Sequence, residues 1–194
     1  MATGQPIYLD YNATTPVLPE VVDAMLPYLR EHFGNPSSDH VYGQLAREAV
    51  ARARGQVAAL LGCDADEVVF TGGGTEANNL AIRGVAEARA ERRHVVTSVI
   101  EHPATAGPCD WLERHGWTVT RIAVDPDGRL RVADARAAIG DGTALLSMMH
   151  SNNETGVLQP VEETTAVARA CGALVHTDAA QSAGKVHLDV RALG

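Results

Sequence analysis

An alternation of two patterns constrains this chain more than any other feature. From residue 68 onward, short apolar, β-rich runs take turns with longer stretches of helical pattern. The runs are VVF (68–70), HVVTSVI (94–100), WTVTRIAV (117–124), ALLSMMH (144–150) and ALVHTDAA (173–180). Between them lie 75–93, 103–116, 132–140 and 161–172. Strands that are apolar along their whole length and joined by helical crossovers belong in a parallel sheet covered on both faces. The expected fold class is therefore α/β, with three αβα layers around a mostly parallel sheet. The first part of the chain reads differently. PEVVDAMLPYLREHFG (19–34) carries an amphipathic helix, with Pro19 suited to the first turn and Gly34 to the stop. A longer helix is expected over 41–61, where Leu45, Ala49, Ala53, Val57 and Leu60 recur on one face. The expected division is a helical segment, 1–62, followed by an α/β region, 63–194.

Composition narrows the function classes. The 194 residues carry 24 acidic and 16 basic side chains, a net charge of −8. Such a surface argues against broad attraction to nucleic acid or an anionic membrane. No apolar run reaches bilayer length, and MATGQPIYLD lacks a charged region followed by an apolar one. A soluble, cytoplasmic protein is expected. Cys63, Cys109 and Cys171 are widely spaced and form no C-x-x-C pair, so neither a disulfide framework nor a metal site is expected. Lys185 is the one lysine in the chain.

In parallel α/β folds, functional groups gather beyond the carboxyl ends of the strands. The run VVF leads into TGGGTEANN (71–79), where three glycines permit a tight turn and close backbone approach. Thr75 and Glu76 then open a helix whose free N–H groups favour an anion. Phosphate suits that place, with the Thr75 hydroxyl and the Gly74 and Thr75 amides as donors. His102 stands at the end of the next run, in IEHPA (100–104), and HSNNETG (150–156) follows another. Asp178 lies in an Ala-flanked apolar run, where a carboxylate needs a cation or donor. Alone, each has a plainer explanation: a bare glycine turn, a capping histidine, turn-forming asparagines, a structural network around the aspartate. Together they describe a pocket for pyridoxal phosphate, with Asp178 holding the ring nitrogen protonated.

The blocks YLDYNATTP (8–16), FGNPSSDH (33–40), TGGGTEANNLAIRG (71–84), EH (101–102), MHSNNETG (149–156) and HTDAAQSAGK (176–185) closely resemble the N-terminal part of the cysteine desulfurases. These belong to the class V aminotransferase-like group, with the fold-type I (aspartate aminotransferase-like) large domain. The resemblance covers essentially the whole chain. It implies that Gly74 and Thr75 hold the cofactor phosphate, and that His102 stacks on the ring and helps proton transfer. Asn153 and Gln181 would contact the ring oxygen, and Asp178 the ring nitrogen. The implied reaction converts L-cysteine to L-alanine and an enzyme persulfide. A sulfur-acceptor protein then serves iron–sulfur assembly, tRNA thiolation or DNA phosphorothioation.

The resemblance also sets limits. It implies that the cofactor-anchoring lysine lies shortly beyond Gly194, and that the persulfide-carrying cysteine lies farther on. Lys185, Cys63, Cys109 and Cys171 occupy neither position. The substrate-binding arginine and the small C-terminal domain are likewise expected outside this chain. An incomplete large domain follows, inactive alone, with pyridoxal phosphate absent or held non-covalently. Its exposed sheet edge would be met by a complementary C-terminal chain or a homo-oligomer; the family is generally homodimeric. Two alternatives stand beside this reading: a non-catalytic scaffold of a sulfur-transfer assembly, and another class V enzyme such as a selenocysteine lyase or aminotransferase.

Overall fold

The computed structural model describes residues 6–194. They divide into two compact units, one ending at Val68 and one spanning Val69–Gly194. In the first unit, α1 (Pro19–Arg30) opens on a proline whose missing N–H has no helical partner to lose. None of its residues is buried. α2 (Val41–Leu61) starts where His40 Nδ1 accepts from the Gly43 amide at 3.3 Å, and stops at Gly62, whose φ of 72° is left-handed. Gly43 is obligatory there, since a Cβ would stand 2.2 Å from the Ser38 carbonyl oxygen. The sequence suggests a boundary at Cys63, but the unit continues through a 3₁₀ turn at Ala65–Glu67. Glu67 accepts from the Asp64 amide at 2.8 Å, and the Arg54 guanidinium on α2 donates to the Val68 carbonyl.

The second unit alternates helix and strand: α3 (Gly74–Ala88), β1 (His94–Ser98), α4 (Pro103–Arg114), β2 (Thr118–Ile122), α5 (Val132–Ala138), β3 (Thr143–Met149), α6 (Val161–Ala170), β4 (Leu174–Asp178) and α7 (Val190–Leu193). The four strands form one sheet in the order β2-β1-β3-β4, every pair parallel. Period-two alternation sorts its side chains. Val95 and Leu145 join Ile82 and Ala86 of α3 and Cys109 and Leu112 of α4 on one face. Val96, Leu146 and Met148 join Ala135 of α5 and Val167 and Ala168 of α6 on the other. The three-layer αβα class is thus the observed one, with β3 buried along its whole length.

One expected strand does not form. Residues 68–70 belong to no strand, and the described sheet, in the order β2-β1-β3-β4, does not include them. The Val69 and Phe70 side chains are 67% and 48% exposed. The short helix α7 carries no signal in the hydrophobic pattern; Asp189 caps it by accepting from the Arg191 and Ala192 amides at 2.8 and 3.0 Å. Among the described residues, no helix is long and apolar enough to cross a membrane.

Candidate functional site

The strand order decides where a ligand can enter. β1 is followed in space by β2 on one side and β3 on the other, and α4 and α6 leave the sheet on opposite faces. The chain therefore opens a crevice at the carboxyl ends of β1 and β3, the switch point where parallel α/β sheets bind ligands. A pocket of about 450 Å³ lies there, lined by the β1–α4 loop, including Glu101 and His102, and by Asn152, Asn153 and Glu154 after β3.

Each loop is held by its own chemistry. His102 caps α4: its Nδ1 accepts from the Ala104 amide at 3.1 Å, just before a helix that opens on Pro103. That contact orients the exposed ring and leaves Nε2 outside the cap. The two neighbouring asparagines separate into different tasks. Asn152 Oδ1 accepts from the Glu154 and Thr155 amides at 3.0 and 2.9 Å, which builds the turn. Gly156 closes that turn at φ 75°, donating to the Asn152 carbonyl at 2.9 Å. Asn153 lies within that turn and lines the pocket.

Glu101 ties the two loops together. Its Oε1 accepts from Ser98 Oγ at 2.5 Å and from the Met149 amide at 3.0 Å, so one carboxyl joins the ends of β1 and β3. Its Oε2 is buried without a hydrogen-bond partner. Burial pushes the carboxyl up to about 7, against the pull of those two donors and with help from the Asp178 charge.

The glycine turn and Asp178 meet through α3. No side chain caps that helix, and a Cβ at Gly73 or Gly74 would find nothing within 4 Å, so there is room beside its first, uncapped turn. Thr75 is exposed at that terminus, and Glu76 folds back to accept from the Gly72 amide at 2.6 Å. One turn farther, buried Asn78 donates through Nδ2 to Asp178 Oδ2 at 2.8 Å and to Thr105 Oγ1 at 3.1 Å. Asp178 Oδ1 accepts from the Ala180 amide at 3.0 Å. Each carboxylate oxygen has two acceptor sites, so Asp178 can still take a cationic N–H. Uncapped amides beside open glycines, with an under-filled carboxylate on the same helix's partner strand, fit a ligand carrying both phosphate and a protonated ring nitrogen.

Gln181 stands three residues beyond Asp178, and its Oε1 accepts from Lys185 Nζ at 2.8 Å. The sequence pattern does not single out Glu101, Asn78, His176 or Ser147. Asn78 had a readable signal: it shares the 78–82–86 spacing with buried Ile82 and Ala86, which puts an amide on the buried face of α3. Glu101 had none, because its burial comes from β3.

The family model for class-V aminotransferases matches residues 7–194. A protein named Cysteine desulfurase 2 from Trichormus variabilis is 48% identical over 185 residues, covering 95% of this chain and 46% of that protein. A solved structure described as a NifS-like protein superposes with a TM-score of 0.94 at 35% identity, over 97% of this chain and 53% of that one. Another, described as SspA in complex with cysteine, gives 0.93 at 40% identity over 96% and 54%. The chain thus spans about half the length of the relatives it matches.

Proposed function

The chain belongs to the class-V aminotransferase family, and on that premise we propose that it forms the cofactor-holding part of a pyridoxal-phosphate-dependent cysteine desulfurase. The whole reaction takes sulfur from L-cysteine, leaves L-alanine and passes the sulfur to an acceptor protein. The observation that carries this reading is Asp178, a carboxylate at the end of β4, held by Asn78 of α3 and by the Ala180 amide with acceptor capacity to spare. When bound, pyridoxal phosphate supplies an electron sink for bond changes at the amino acid's Cα. The α3 amides of Gly74 and Thr75 and the Thr75 hydroxyl hold the phosphate; Asp178 accepts from the ring nitrogen and keeps it protonated. His102, fixed by its cap, offers a ring face for stacking and Nε2 for moving a proton. Asn153 and Gln181 hold the ring oxygen. The same reading makes the working protein a cytoplasmic homodimer that feeds sulfur into iron–sulfur assembly, tRNA thiolation or DNA phosphorothioation.

Two groups the reaction needs are not furnished by these residues at the pocket. A covalent anchor requires an amine, and Lys185 is engaged with Gln181. A sulfur acceptor requires a reactive thiolate. Burial pushes the Cys109 thiol up to about 11. Cys171 precedes β4, and its carbonyl accepts from Arg92 just before β1, which places it at the amino ends of the strands, opposite the pocket. Cys63 belongs to the other compact unit. We therefore expect no sulfide release from L-cysteine by this chain alone. Mixing it with a chain equivalent to the remaining half of its relatives, plus pyridoxal phosphate, restores release. A folded, cofactor-loaded complex that stays inert toward L-cysteine overturns the proposal; activity toward L-selenocysteine or an amino-group acceptor instead reassigns it within the family.

A further inference from the structure

Four side chains of the second unit form a hydrogen-bond chain that ends on Asp178. Ser147 Oγ lies 2.9 Å from His176 Nδ1, and His176 Nε2 lies 3.2 Å from Asn78 Oδ1. Asn78 Nδ2 then reaches Asp178 Oδ2 at 2.8 Å and Thr105 Oγ1 at 3.1 Å. Ser147, Asn78 and Thr105 are all buried, so solvent does not substitute for a missing partner.

The order of donors follows from the end of the chain. An ionised carboxylate only accepts, so Asn78 must turn its NH₂ toward Asp178. Its carbonyl oxygen then faces His176, which must carry its proton on Nε2. Nδ1 is left as an acceptor, and the Ser147 hydroxyl donates to it. Burial holds the His176 imidazole below its ordinary titration range, against the opposing pull of Asp178, and so favours this neutral tautomer.

Topology makes the arrangement a measure of length as well as direction. Ser147 and His176 are register partners on β3 and β4, and Asp178 lies two residues on, on the same face. Asn78 lies four residues after Gly74, about 6 Å along the helix axis. The contact therefore sets the offset between the uncapped amino end of α3 and the Asp178 carboxylate.

We propose that Asn78 and His176 are positioning residues: they present Asp178 as a fixed acceptor at a set offset from the α3 amino terminus, and so select ligands that join a phosphate to a protonated ring nitrogen at that spacing. This rests on the reading of Asp178 as the ring-nitrogen partner, and the test separates the two.

The full 194-residue chain, labelled with ¹⁵N-histidine, reports the tautomer directly by NMR. The expected His176 signals are a protonated Nε2 and a bare, hydrogen-bonded Nδ1, unchanged from pH 5.5 to 8. A proton on Nδ1, or a His176 that titrates in that range, overturns the chain as drawn. Two probes then divide the pocket: inorganic phosphate, and pyridoxamine 5′-phosphate, which adds the ring nitrogen without an aldehyde. Asn78→Ala should weaken pyridoxamine phosphate at least tenfold while changing phosphate affinity less than twofold. Equal losses for both probes mean a merely structural role and overturn the proposal. If Asn78→Ala does not fold, Asn78→Ser is judged by the same ratio. A wild-type chain that binds both probes, with Asp178→Asn weakening only the ring-bearing one and Asn78→Ala matching wild type, overturns the positioning role alone. An Asp178→Asn chain that binds pyridoxamine phosphate as wild type does overturns the reading of Asp178, and with it the selection proposed here.

Discussion

Glu101 shows how one carboxyl can take on a property no single residue type carries. It bridges the ends of β1 and β3 through Ser98 and the Met149 amide, and that position desolvates it. Its titration moves from an ordinary 4.5 to about 7. Below about 4.5 both folded and unfolded chains hold the proton. Between there and about 7 the unfolded chain releases it while the folded chain retains it, so stability falls as pH rises and levels off above that window. The shift corresponds to a loss on the order of 3 kcal/mol as an upper bound. Urea unfolding at pH 5 and pH 8 should show that decline in the wild type and a flatter profile in Glu101→Gln. A Glu101→Gln chain that declines as steeply as wild type places the dependence elsewhere. At this scale the sequence singles out His102, Asn153 and Asp178 as candidates, because strand-end polar residues stand out against apolar runs. Glu101 sat beside His102 unread, because nothing local announces that β3 will cover it.

At the scale of elements, α3 joins the glycine turn to the core. Ile82 and Ala86 bury its inner face against Val95 and Leu145, while Leu80 on the same helix stays 55% exposed. Ile82→Ala should cost about 2–5 kcal/mol, the usual range for a truncated, fully buried aliphatic side chain. Leu80→Ala should stay within about 0.5 kcal/mol. Equal losses in chemical denaturation would mean that α3 is not seated on the sheet as described. The longer helices are legible in the sequence, since stretches such as 41–61 and 103–114 carry their own caps and periodicity, whereas the four-residue α7 is not. The run at 68–70 carries a strand's pattern without forming one, for the converse reason: a strand needs a neighbour, and apolar β-branched residues cannot supply one themselves.

For the whole molecule, the relevant features are the outer edge of β4, which no strand among the described residues pairs with, and the exposed apolar side chains. Leu174 is 40% exposed on that edge, and Val69 and Phe70 remain uncovered in the same unit. Unpaired edge amides beside apolar surface favour association. Sedimentation velocity of the purified chain should therefore show species heavier than its 20.5 kDa monomer, increasing with concentration. A single monomeric species that unfolds cooperatively would count against this.

Sequence by itself determined the α/β class, the placement of the longer helices, the glycine turn and the candidate residues at strand ends, because periodicity and turn chemistry act over a few neighbouring positions. Only the tertiary structure decided the order β2-β1-β3-β4, the crevice this order opens, and the contact of Asn78 with Asp178 across 100 residues. Desolvation, hydrogen-bond direction and strand pairing belong to groups that meet through space, so one stretch of chain does not encode them alone.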